Sequence, residues 1–208
     1  MANRSFLIQD RVRWHFKDNK GSYCLVLFVA ILGVIIGVYL SVTGYRYTSL
    51  LTASDKNMFD YITGTASYTS IFYSRLIDIL ICFVILVVLN LCIYTSFLSF
   101  IFLGYQMALI VLSSSAIISL YGLAGIINVV LFVVPINILN FIVMAVIVCL
   151  GVERARLQNT YKLKFFESFK QTSFIKGVLI CFLIELVICI LHSFILPLFI
   201  KSFVVFSY

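Results

Sequence analysis

Charge is what this sequence has least of. Of its 208 residues 11% are charged and 63% are hydrophobic, whereas soluble domains carry about 25% charged residues. Such a chain cannot cover itself with a hydrated surface, which excludes an ordinary water-soluble domain. Histidine occurs only at His15 and His192. No His-Glu-x-x-His, Gly-x-Ser-x-Gly, Walker or dinucleotide fingerprint is found. The sequence therefore offers no catalytic constellation, and it implies no metal and no cofactor. Two prolines and the lack of any Ser/Gly-rich stretch exclude low-complexity linkers. No repeat at a fixed period is present, and the length suits one compact unit. Six cysteines are present, none in a Cys-x-x-Cys arrangement, and all lie in apolar runs. They read as small buried hydrophobes rather than disulfides or metal ligands.

What the sequence has is long charge-free runs. A helix needs about 20 residues to cross a hydrocarbon core of about 30 Å. The run from Gly21 to Tyr45 holds one such span, about 23–43, too long for the apolar region of a signal peptide and without its cleavage site. The 74 positions from Ile79 to Val152 contain no charged residue. They divide into three spans, about 77–98, 102–120 and 124–150, with breaks at "SFLSFIFLG" (96–104) and "SLYGLAG" (119–125). Pro135 should kink the last of these. A fifth span covers about 177–200 and is interrupted by Pro197. In lipid every backbone polar group must be satisfied within the segment, so runs of this kind are helical. The expected fold is all-α: a polytopic membrane bundle of five transmembrane helices in a single membrane domain, 1–208.

The fifteen basic residues orient it. Five lie in the first twenty positions and six between Gly151 and Gly177, leaving Arg46, Lys56, Arg75 and Lys201. Five spans place both clusters on one side, so the N-terminus is expected in the cytoplasm and the C-terminus outside. The net charge of +7 thus reads as membrane flanks facing lipid headgroups, not as a nucleic-acid footprint. The exterior loop, 44–75, carries Tyr45, Tyr47, Tyr61, Tyr68 and Tyr73 with Phe59 and Phe72. It reads first as a segment lying at the headgroup level, and second as a partner-binding face. The cytoplasmic loop, 151–176, repeats Leu157, Tyr161, Phe165 and Phe169 every four residues with cations between. This is the pattern of an interfacial amphipathic helix.

Few polar groups fall at membrane depth. Arg75 and Asp78, three apart, read as a structural pair at the mouth of the second span. Glu185 and His192 are seven apart in the fifth span and so share a helix face within about 20°. An ionised carboxylate there costs about 2.5–3.5 kcal/mol. Glu185 is therefore expected either protonated or bonded to Asn90, Gln106, Asn128, Asn137 or Asn140. A polar clamp between helices is the first reading, a proton or solute path the second. In the first span Gly33, Gly37 and Ser41 form a strip of small residues at spacing four. Helices in lipid associate by close backbone approach, so the strip marks helix contact, within this bundle or with another protein.

The arrangement resembles the stage II sporulation protein M family. A basic N-terminal segment precedes a first span with a Gly-x-x-x-Gly pair, Gly33 and Gly37. Gly104 in "FIFLGYQMAL" is similar to the glycine opening the family's third span. Pro135-Ile136-Asn137 in "VVPINIL" is similar to its Pro-x-Asn element. In "HSFILP", Ser193 and Pro197 match the family's spacing, while His192 stands where the family has an acid. The resemblance implies a non-enzymatic scaffold in the cytoplasmic membrane of an endospore-forming bacterium. There it would recruit stage II sporulation proteins P and D, the wall hydrolases of forespore engulfment. Gly104, Pro135, Asn137 and Pro197 then join the glycine strip as packing or docking residues. A transporter or channel component remains the alternative, for example a permease-like subunit meeting a cytoplasmic ATPase through 151–176.

Overall fold

The computed structural model describes residues 19–43, 67–91, 94–162, 174–195 and 198. Pro197, the N-terminal basic segment before Asn19, the loop positions 44–66 and the segment 163–173 with Phe165 and Phe169 lie outside them. The described residues form helices without a strand: α1 (Lys20–Val42), α2 (Tyr68–Leu91), α3 (Leu98–Asn128), α4 (Val134–Tyr161) and α5 (Phe174–Ile190). One π-helical turn, Val129–Val133, precedes α4, and another, Leu191–Ile195, follows α5. Five helical stretches are long and apolar enough to cross a membrane. Their outer faces show Leu27, Phe28, Ile31, Leu179 and Leu183, all more than half exposed. So much unpaired apolar surface suits lipid and not water. The architecture is that of a membrane-embedded helical protein.

The chain runs alternately up and down. At one end Asn19 Nδ2, just before α1, donates to Glu153 Oε2 on α4 at 3.2 Å. At the same end Arg154 reaches the last carbonyls of α2 and lies over the ring of Phe174, which opens α5. At the other end Tyr68, opening α2, stacks with Phe194, centroids 6.4 Å apart. The turns obey local chemistry. Gly122 has φ +57° and ψ −128°, a conformation that glycine alone adopts freely. It separates the crossing stretches Leu98–Ser119 and Gly125–Tyr161 within the predicted "SLYGLAG" break. Pro135 sits in the first turn of α4. A ring there clashes with the carbonyl four residues back, and the π turn immediately upstream is one of the ways a helix accommodates such a disruption.

Several boundaries differ from expectation: α2 ends at Leu91 rather than near 98, and α3 begins at Leu98, inside the predicted 96–104 break. The second helix begins at Tyr68, not near 77, so Tyr68 to Tyr73 are helical and Arg75 lies inside the crossing segment. Charge alone placed Arg75 at the mouth; a hydrogen-bonding partner on α4 lets the bundle take it in. α4 continues past 150 to Tyr161, where Lys162 adopts the left-handed conformation and ends it. The start of the predicted amphipathic loop is thus an extension of the fourth helix, because Arg154 and Ala155 bury against the bundle.

The core is formed by Val26, Leu86, Leu103, Met144, Ile147, Val148, Cys181 and Ile188. α1 packs on α3 through the predicted glycines. A Cβ on Gly33 would overlap the Gly104 carbonyl oxygen and stand 2.9 Å from Met107 Cβ. One on Gly37 would stand 2.8 Å from Val111 Cβ and 2.9 Å from the Ala108 carbonyl. One on Gly104 would stand 2.8 Å from Val29 Cγ1. This seam is occupied by the chain's own third helix, the close backbone approach that lipid-embedded helices need. The Ser41 hydroxyl donates to the Val38 carbonyl of its own helix at 2.7 Å.

Candidate functional site

Polar side chains from three helices meet inside the bundle. Asn137 and Asn140, three apart on α4, project from one face, both buried. Arg75 on α2, 8% exposed, donates from Nη2 to Asn137 Oδ1 at 3.3 Å. Glu185 on α5, 1% exposed, accepts from Asn140. The amide of Asn140 is oriented with its nitrogen toward the carboxylate, since the opposite orientation sets oxygen against oxygen; Nδ2 then lies 2.5 and 2.6 Å from the two carboxylate oxygens. The two asparagines thereby join a cation on one neighbouring helix to an acid on another. Of the predicted partners for Glu185, the tertiary structure selects Asn140.

A chamber of about 40 Å³ adjoins this clamp, bounded by Arg75, Gln106, Ser113, Asn137, Asn140 and apolar neighbours. It has room for about three water-sized groups. Gln106 on α3 bridges to α2, its Nε2 donating to Cys82 Sγ at 3.2 Å. His192 is buried, at 3% exposed, in the π turn after α5, and its Nδ1 has no hydrogen-bond partner. The interior thus receives both Glu185 and His192, as their spacing predicts, but the carboxylate is bonded to α4. Ser193 donates to the Cys189 carbonyl at 2.8 Å, within its own helix. Pro135 is exposed on the helix surface, while Asn137, two residues on, belongs to the clamp.

A second cluster closes the opposite end. Arg154, fully buried, donates from Nη2 to the carbonyls of Asn90 (2.7 Å) and Leu91 (2.6 Å). These are the terminal carbonyls of α2, which lack partners inside their own helix, and a cation there also meets the negative end of the helix dipole. Asn90, also fully buried, donates to the Leu86 carbonyl at 2.8 Å. It fits only because residue 151 is glycine: a Cβ there would stand 2.6 Å from Asn90 Cβ and overlap the amide. Charge counting assigns Arg154 to a cytoplasmic flank and does not foresee this cap. The asparagine pair at spacing three was the legible signal for the clamp; no local signal ties Arg154 to Asn90, 64 positions away.

The clamp sets an expected result. Asn140→Leu leaves the buried carboxylate without its donor and should lower stability by about 1–2 kcal/mol. Glu185→Gln retains a hydrogen bond and should change it by less than about 1 kcal/mol. Combining Asn140→Leu with Glu185→Leu should restore part of the loss, because removing both partners costs less than orphaning one. Unfolding by SDS titration in mixed micelles measures all three.

Among the described residues, no group of three histidine, cysteine, aspartate or glutamate side chains converges as metal ligands would. The five cysteines within them are free thiols. No protein-family model, no curated protein and no solved structure matches this chain.

Proposed function

We propose that this protein is a non-enzymatic membrane scaffold, which acts by holding other membrane-anchored proteins. The observation that carries this reading is the use of its polar groups at membrane depth. Arg75 with Asn137, and Asn140 with Glu185, tie α2, α4 and α5 together, and the chamber beside them holds about 40 Å³. That is room for water, not for a conducted solute, and Glu185, the carboxylate that a proton or solute path would need, is bonded to Asn140. The two basic clusters place the N-terminus in the cytoplasm in this reading. By its resemblance to the stage II sporulation protein M family, the partners are membrane-anchored peptidoglycan hydrolases of the kind of stage II sporulation proteins P and D. The site of action is the mother-cell membrane at the sporulation septum.

A second reading, a transporter or channel component, is favoured by one observation: two ionisable side chains, Arg75 and Glu185, are buried inside the bundle, where such groups are functional candidates by default. Affinity purification after cross-linking in native membranes separates the two. The scaffold should bring down membrane-anchored wall hydrolases; an ATPase in stoichiometric yield, with solute flux abolished by Glu185→Gln, would replace it with the second.

A further inference from the structure

Arg75 is poorly satisfied for a cation at such depth. A guanidinium carries five donors, yet Arg75 makes one hydrogen bond, at 3.3 Å to Asn137, and its buried Nε has no partner. The same side chain lines two adjoining spaces. One is the inner chamber of about 40 Å³. The other is a cleft of about 290 Å³ between α2 and α3 that shares with it Arg75, Gln106, Leu109, Asn140 and Met144. The outer walls of the cleft include Ile81, Ile85, Phe102 and Tyr105. Ile81 and Tyr105 are more than half exposed, so the cleft opens sideways onto the bundle's lipid-facing surface.

An apolar mouth leading from lipid to an under-bonded guanidinium is complementary to an amphiphile with an oxyanion head. The size of the chamber selects among such heads. Space for about three water-sized groups matches the three heavy atoms of a carboxylate and not a glycerophosphate. Depth selects the same way. Arg75 lies seven residues inside the start of α2 at Tyr68, about 10 Å along the helix, and a phosphate level with Tyr68 would stand that far from it. The two acids nearby do not line the chamber: Glu185 is bonded to Asn140, and Asp78 lines the outer cleft.

We propose that the cleft between α2 and α3 is a lateral binding site for a long-chain fatty acid, its carboxylate paired with Arg75 and its chain lying along Ile81, Ile85, Phe102 and Tyr105. Arginine suits this because its planar fork engages a carboxylate through two parallel hydrogen bonds. The site is independent of whether the protein holds wall hydrolases.

The test uses the full chain in lipid nanodiscs with a photoactivatable sixteen-carbon fatty acid. Saturable labelling is expected on the segments around Ile81–Ile85 and Phe102–Tyr105, competed by hexadecanoic acid and not by hexadecanol or phosphatidic acid. Arg75→Gln should weaken it about tenfold or more. Because Arg75 also belongs to the clamp, Ile85→Trp provides a second variant at a surface position. It should obstruct the mouth and reduce labelling while the unfolding curve stays unchanged. Competition by hexadecanol as strong as by the acid would make this an apolar groove only, and equal competition by phosphatidic acid would assign a phosphate head instead. Either result overturns the proposal, as does labelling that is unsaturable or indifferent to both variants, which would leave the chamber to water.

Discussion

Arg154→Leu is expected to destabilise the bundle by about 3–5 kcal/mol. The guanidinium is fully buried and supplies the donors for the Asn90 and Leu91 carbonyls at 2.7 and 2.6 Å. Leucine fills much of the volume but leaves two terminal carbonyls of α2 unsatisfied. Breaking a buried charged interaction by removing one side costs this much because the remaining partner keeps its desolvation penalty. The contact of the cation with the Phe174 ring, 5.7 Å from its centroid, is lost as well. Arg154→Lys should recover roughly half of the loss, since an ammonium is a point charge that cannot span both carbonyls as the fork does. SDS unfolding in mixed micelles measures the loss. Amide exchange should locate it at the turn Tyr94–Phe97 and the start of α3, which the cap holds against α4. Stability within about 1 kcal/mol of the parent would show that water, not Arg154, satisfies the end of α2.

The α1–α3 seam should respond nearly as strongly. Gly33→Ala places a methyl against the Gly104 backbone oxygen and Met107 Cβ. Backbone cannot rotate away as a flexible side chain can, so the helices must separate. A cost of about 2–3 kcal/mol is expected, at the upper end for overpacking, and Gly33→Leu should undock α1 altogether. Gly21→Ala is the control. Nothing lies within 4 Å of its added Cβ, and alanine in a helix gains about 0.5–1 kcal/mol over glycine. Opposite signs for the two Gly→Ala changes, read as shifts in the SDS midpoint, test the seam directly. There is a consequence for partner mapping. Loss of a bound protein from a Gly33 or Gly37 variant does not identify a docking face, because the fold itself is altered. Ile31→Trp and Ile35→Trp, on the exposed side of α1, probe docking without touching the seam.

How much of this was legible in one dimension can be argued from particular residues. The apolar runs revealed five helices because lipid allows a backbone little else. The break near Gly122 was legible because turn chemistry is local, and so was the disruption at Pro135. The small-residue strip was legible as a contact surface, but its partner was not: Gly104 lies 71 positions from Gly33, and no local pattern says which helix will come close. Arg75 misled for a related reason. Hydropathy charges a cation its full cost in lipid, whereas in the bundle Arg75 meets Asn137 on α4 and α2 begins at Tyr68. Glu185 was recognisable as needing a partner, with five candidates, and the packing of α4 on α5 chose Asn140.

The apolar character of the chain and the number of its long apolar helices are properties of composition and run length, sums over residues that hold whatever the chain does in space. Which polar atoms find one another is a different kind of fact. A hydrogen bond or a helix–helix contact depends on distances of a few ångströms between residues tens of positions apart. The asparagine clamp, the Arg154 cap and the under-bonded guanidinium facing the cleft therefore exist only once the five helices have packed.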